Sequence, residues 1–168
     1  LALVVELGKF NSRATEAVER SCVSEKSKNL MILGSAHGDS NTLKAVLKTT
    51  RLEDCTIVDL FSLRIEHYVY GAAPQDDFLS VVEKMLAAET ITFATPVYWY
   101  SMSGRMKVFF DRLSDLLDTQ NGRSLAGKNI DLVVVGAGAE LPPGFEVPFG
   151  KTASYFGMKF RKTFYYQM

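Results

Sequence analysis

The chain has few of the side chains that build metal centres, disulfide frameworks or acid–base catalytic triads. Of its 168 residues two are cysteine, Cys22 and Cys55, and two are histidine, His37 and His67. The cysteines stand in unrelated contexts, with no Cys-x-x-Cys and no paired histidines nearby, which argues against a zinc site, an iron–sulfur cluster or a disulfide framework. Two unpaired thiols suit a reducing cytoplasm. Net charge is missing as well, since 19 basic side chains balance 19 acidic ones, and no overall field draws the chain to nucleic acid or an anionic membrane. No apolar run approaches the roughly 20 residues that span a bilayer. The apolar Leu1 to Leu7 lacks the basic start, the length and the small-residue cleavage site of a signal peptide. No Ser-His-Asp, Cys-His or paired-carboxylate arrangement stands out, so any demanding chemistry is expected from a bound group.

What the chain does have is apolar side chains, 47% of the total, and enough length for one domain with its own core. Residues 11–29 are polar and charged. Ala14 to Cys22 has the pattern of a short helix and Ser24 to Asn29 that of a linker, so residues 1–28 read as an extension and 29–168 as the domain.

From Leu30 onward, continuous apolar runs alternate with segments of helical period. Leu30-Met31-Ile32-Leu33 is a strand, followed by a helix with Leu43, Val46 and Leu47 on one face and a strand Thr56-Ile57-Val58-Asp59-Leu60. A helix from about Asp76 places Phe78, Val82, Met85 and Leu86 together, and the strand Thr90-Ile91-Thr92-Phe93-Ala94 follows. The next helix carries Met106, Phe109, Phe110, Leu113, Leu116 and Leu117. Ile130 to Val135 is a fourth strand, Lys151 to Phe156 a helix, and Lys159 to Tyr166 a fifth strand. Strands without polar alternation, separated by helices, predict an α/β fold: a parallel sheet with helices on both faces. Ligands of such sheets bind beyond the carboxyl ends of the strands, where strand order reverses.

Three loops lie at those ends. After strand one, Gly34-Ser35-Ala36-His37-Gly38-Asp39-Ser40-Asn41-Thr42 brings two glycines and short hydroxyl and amide side chains to a helix start, a nest suited to phosphate. Ser40 as an ordinary helix cap is the competing explanation. The loop is neither a Walker A motif nor a Gly-x-Gly-x-x-Gly fingerprint. After strand three, Thr95-Pro96-Val97-Tyr98-Trp99-Tyr100-Ser101 carries three consecutive aromatics, including the sole tryptophan. Aromatics at an exposed sheet edge call for a flat apolar partner, and a flavin is such a plate; packing into the core or into a second subunit is the alternative. After strand four, Gly136-Ala137-Gly138-Ala139-Glu140 lets a ring or a backbone approach closely, or is simply a turn. Lys107, Asp111 and Arg112 lie beside the apolar stripe of their helix and read as structural or subunit-contact residues forming surface ion pairs.

Gly34-Ser35 with Ser40-Asn41-Thr42, together with Thr95-Pro96-Val97-Tyr98-Trp99, Ser103, Met106-Lys107, Phe109 and Asp111-Arg112, resemble the flavodoxin-like NAD(P)H-dependent oxidoreductases, which include NADPH-dependent FMN reductases and quinone reductases. The resemblance covers roughly residues 29–168 and implies a doubly wound five-stranded parallel sheet of order 2-1-3-4-5. It further implies that Ser35, Ser40, Asn41 and Thr42 hold the FMN phosphate, with His37 standing where several members carry arginine. Pro96, Val97, Tyr98, Trp99 and Ser101 would line the flavin ring, with Gly136 and Gly138 beside it. NAD(P)H would be the donor, a quinone or flavin the small-molecule acceptor, and a homodimer or homotetramer the assembly. A flavodoxin-type electron carrier is the alternative, although such carriers present an acidic surface and this chain is neutral. A phosphoryl-accepting receiver needs acidic residues where Gly34-Ser35 and Thr95-Pro96 stand. A scaffold that has lost its cofactor would stay colourless with FMN.

Overall fold

The computed structural model describes residues 28–38, 40–49, 55–72 and 74–168. The helix expected over Ala14 to Cys22, Cys22 itself and most of the Ser24 to Asn29 linker lie outside them. Five strands, β1 (Asn29–Leu33), β2 (Cys55–Asp59), β3 (Thr90–Pro96), β4 (Asn129–Gly136) and β5 (Lys159–Gln167), form one sheet of order β2-β1-β3-β4-β5. Every neighbouring pair is parallel. The helices are α1 (Asn41–Thr49), α2 (Phe78–Ala87), α3 (Gly104–Arg112), the short α4 (Gln120–Arg123) and α5 (Val147–Tyr155), with a 3₁₀ turn at Leu113–Leu116. This is the flavodoxin-like order expected. Among the described residues, no helix is long and apolar enough to cross a membrane.

The sheet buries two clusters. On one face Leu30, Ile32, Ile91, Phe93, Ile130, Leu132 and Val134 meet Phe78, Val82 and Met85 of α2, Met106 and Phe109 of α3, and Phe149 and Ala153 of α5. On the other, Met31, Leu33, Ala94, Val133 and Val135 meet Ala45 and Val46 of α1. Alternate residues of one strand feed opposite faces, so strands buried on both sides are mostly apolar, with Thr92, Thr95 and Asp131 as buried exceptions.

Several sequence-based expectations need correction. Leu47 was expected in the core and is 43% exposed, because the buried stripe of α1 is Thr42, Ala45 and Val46, one residue out of phase. Leu117 is 41% exposed, because helical period ends in the 3₁₀ turn before it. The last helix begins at Val147, with Pro148 in its first turn, and runs to Tyr155. Arg112 is not a surface residue: its side chain is 3% exposed and pairs with Asp76, 1% exposed, and with Asp115 at 2.7 Å. Lys107 and Asp111 do form the expected exposed i,i+4 pair.

Candidate functional site

The carboxyl ends of β1, β3 and β4 open on a cleft of about 300 Å³, lined by Ser35, Ala36, His37, Ser40, Asn41, Thr42, Pro96, Val97, Tyr98, Val135, Gly136, Ala137 and Met168. Parallel pairing brings the three loops to one edge: Leu33 is level with Ala94, and Thr95 and Pro96 with Val134 and Val135.

The first loop is held from behind. Gly34 lies so close to α3 that a Cβ would sit 2.8 Å from the Met106 Cβ; its glycine serves helix packing. The Ser103 hydroxyl donates to Gly34 O and accepts from Met106 N at 3.2 Å, tying the loop to the start of α3. Ser35, 1% exposed, donates its hydroxyl to His37 O at 3.1 Å and so shapes the loop from within. Ser40 Oγ accepts from Leu43 N at 3.1 Å and its carbonyl accepts from Lys44 N, so Ser40 caps α1. The first amides of the helix, at Asn41 and Thr42, have no intrahelical acceptor and point outward from the N-terminus. No acidic side chain stands in that first turn, which leaves the positive end of the helix dipole free for an anion.

The aromatic turn is closed by Tyr98 N donating to Ser101 O at 2.9 Å and Ser101 N donating to Tyr98 O at 3.1 Å. Its two central residues, Trp99 and Tyr100, have φ of 49° and 65°, the left-handed pairing that tight two-residue turns normally give to Asn-Gly. Bulky residues there cost energy and are retained where the surroundings or a function demand them. Tyr98, Trp99 and Tyr100 are 48%, 93% and 79% exposed, which rules out the core of this chain as their partner.

The third loop is small for a reason other than ligand approach alone. A Cβ at Gly136 would lie 2.6 Å from the Tyr165 hydroxyl, which passes it to donate to Gly138 O at 2.7 Å. Nine of the twelve expected site residues line the cleft, and Trp99, Ser101 and Gly138 stand outside its lining. Ala36, Val135, Ala137 and Met168 were not anticipated; the first three are neighbours of named residues, while Met168 arrives only through the pairing of β5 with β4.

Among the described residues the lining contains neither carboxylate nor lysine or arginine. Its donors are hydroxyls, a side-chain amide, the His37 imidazole and backbone N–H groups around an apolar rim of proline, valine and tyrosine. That donor set fits a phosphorylated, largely apolar ligand such as FMN: phosphate at the α1 end, ring at the Pro96–Tyr98 end.

A sheet of this order with these loops at its carboxyl edge defines a flavodoxin-like protein. Residues 27–141 match the NADPH-dependent FMN reductase family, and the chain belongs to it. A Bacillus subtilis (strain 168) protein, YwqN, whose name describes an NAD(P)H-dependent FMN-containing oxidoreductase, is 44% identical over 54 residues, a segment that is 32% of this chain and 30% of that relative. The Trp repressor binding protein of Bacillus subtilis superposes with a TM-score of 0.69 at 23% identity, over 84% of each chain. General stress protein 14 of Treponema denticola, solved in complex with FMN, does so with a TM-score of 0.62 at 19% identity, over 84% of this chain and 86% of that one. Both structures share the fold.

Proposed function

We propose that this protein is an FMN-dependent oxidoreductase that takes electrons from NAD(P)H and delivers them to a quinone- or flavin-type acceptor. The observation that carries the reading is the convergence of a hydroxyl-rich helix N-terminus, with no carboxylate in its first turn, and an exposed aromatic turn on one cleft. FMN, when bound, supplies the hydride and electron transfer; the chain supplies binding and orientation. Ser35, Asn41 and Thr42, with the first amides of α1, hold the phosphate, and Ser40 keeps the helix start in place. Pro96, Val97 and Tyr98 would meet the ring from within the cleft, and Trp99 from outside its lining. A cleft of about 300 Å³ is at the lower limit for small-molecule sites. A flavin held there would leave part of its ring accessible to donor and acceptor. Tyr100 faces a second subunit of a homodimer or homotetramer, and the working compartment is the cytoplasm.

The test is the visible spectrum after reconstitution with FMN, followed by steady-state oxidation of NADPH and NADH with a quinone or free FMN. Flavin bands with turnover support the reading. Flavin bands without oxidation of either nicotinamide leave an electron carrier, and a protein that stays colourless sinks both.

A further inference from the structure

The carbonyls of Gly136, Ala137 and Gly138 are all held by the end of β5. Met168 N donates to Gly136 O at 3.0 Å, Gln167 Nε2 to Ala137 O at 3.3 Å and Tyr165 Oη to Gly138 O at 2.7 Å. The first bond continues the β4–β5 ladder, whereas the other two are side-chain tethers on a loop outside both strands. In a trans peptide the N–H points opposite to the preceding C=O. Turning three carbonyls toward β5 therefore turns the amides of Ala137, Gly138 and Ala139 away from it. Among the described residues none of those amides has a protein acceptor, and Gly136 and Ala137 line the cleft beside Val97 and Tyr98.

We infer that Tyr165 is a positioning residue for the flavin ring: by holding Gly138 O it fixes a loop that borders the cleft at Gly136 and Ala137 and whose amides, turned away from β5, are donors complementary to the polar pyrimidine edge. This rests on the FMN reading above. Tyr165 is absent from the cleft lining, so it acts through the loop and not by touching the ligand.

Tyr165→Phe keeps the ring and removes only the hydroxyl. Two readouts test it: amide hydrogen exchange over residues 136–140 without ligand, and titration with FMN and with riboflavin, which lacks the phosphate. Faster exchange confined to the loop is expected, with both flavins weakened by the same factor, about threefold to tenfold for one hydrogen bond. Gly136→Ala displaces the same hydroxyl from the opposite side and is expected to repeat the pattern, carrying the test should Tyr165→Phe fail to fold. Unchanged exchange overturns the tether, and faster exchange with unchanged affinity overturns its link to the ring. A loss for FMN that spares riboflavin moves the effect to the phosphate loop and overturns it too. A wild-type protein that binds neither flavin overturns the cofactor reading and the ring assignment together, while exchange, measured without ligand, still reports separately on the tether.

Discussion

Arg112 and Asp76 form an ion pair with both side chains buried, 36 residues apart in sequence. The same guanidinium donates to Glu66 O at 3.2 Å, to Asp115 at 2.7 Å, and lies 4.7 Å over the Phe78 ring. It fastens the segment between β2 and α2 to α3, the helix that follows the aromatic turn. Removing one partner of a buried pair strands the other charge, which costs about 3–5 kcal/mol. Asp76→Ala and Arg112→Met are each expected to lose that much in denaturant titrations.

The same pair sets an acid limit. Burial alone would raise the Asp76 carboxyl, but the N–H groups of Glu66 and Phe78 and the Arg112 guanidinium hold it below its ordinary 3.8. A folded value lower than the unfolded one means that the stabilisation is full above 3.8 and is lost as pH falls below it. The stability gap between wild type and Asp76→Asn should therefore be widest at neutral pH and narrow toward about pH 3; a gap independent of pH would contradict the assignment.

Ser103 carries two jobs with one hydroxyl, capping α3 through Met106 N and satisfying Gly34 O. Losing an N-cap costs about 1 kcal/mol and stranding a buried carbonyl about 1–3 kcal/mol. Ser103→Ala should therefore lose roughly 2–4 kcal/mol, and FMN affinity should fall with it if the loop anchored at Gly34 holds the phosphate as proposed. Denaturation and flavin titration read the two effects.

How far these features were legible from sequence differs element by element. Thr90–Ala94 and Ile130–Val135 declared themselves because a strand buried on both faces is mostly apolar, Thr92 and Asp131 being the buried exceptions, and the strand order then puts the three loops at one edge. In α1 the periodicity favoured the bulky Leu47, whereas the close approach of helix to sheet selected the smaller Ala45. Arg112 was misjudged because its burial depends on Asp76 arriving from a distant segment. The contact of Tyr165 with Gly138 spans 27 residues and exists only through the register of β5 on β4, which no local pattern encodes.

Trp99 and Tyr100 occupy positions that Asn-Gly fills without strain. The double variant Trp99→Asn, Tyr100→Gly should therefore raise stability by about 1–2 kcal/mol, while weakening flavin binding through loss of the aromatic cover. In the wild type, the single tryptophan at 93% exposure should emit as a solvated indole and be quenched when FMN is added. Stability that fell in the double variant would show that the turn carries no strain; emission unmoved by bound FMN would detach Trp99 from the ring.

Among the described residues no lysine, arginine or carboxylate lines the cleft, so an anion there is met by hydroxyl, amide and imidazole donors and the α1 dipole at contact range, where mobile ions screen little. FMN affinity should accordingly change by less than about threefold between roughly 50 and 500 mM salt. Riboflavin, which shares the ring but offers the α1 terminus nothing, should bind more weakly than FMN at every salt concentration. A steep salt dependence confined to FMN would mean that a cationic side chain outside the lining reaches the phosphate, and equal affinities for the two flavins would mean that the phosphate does not sit at the helix start at all.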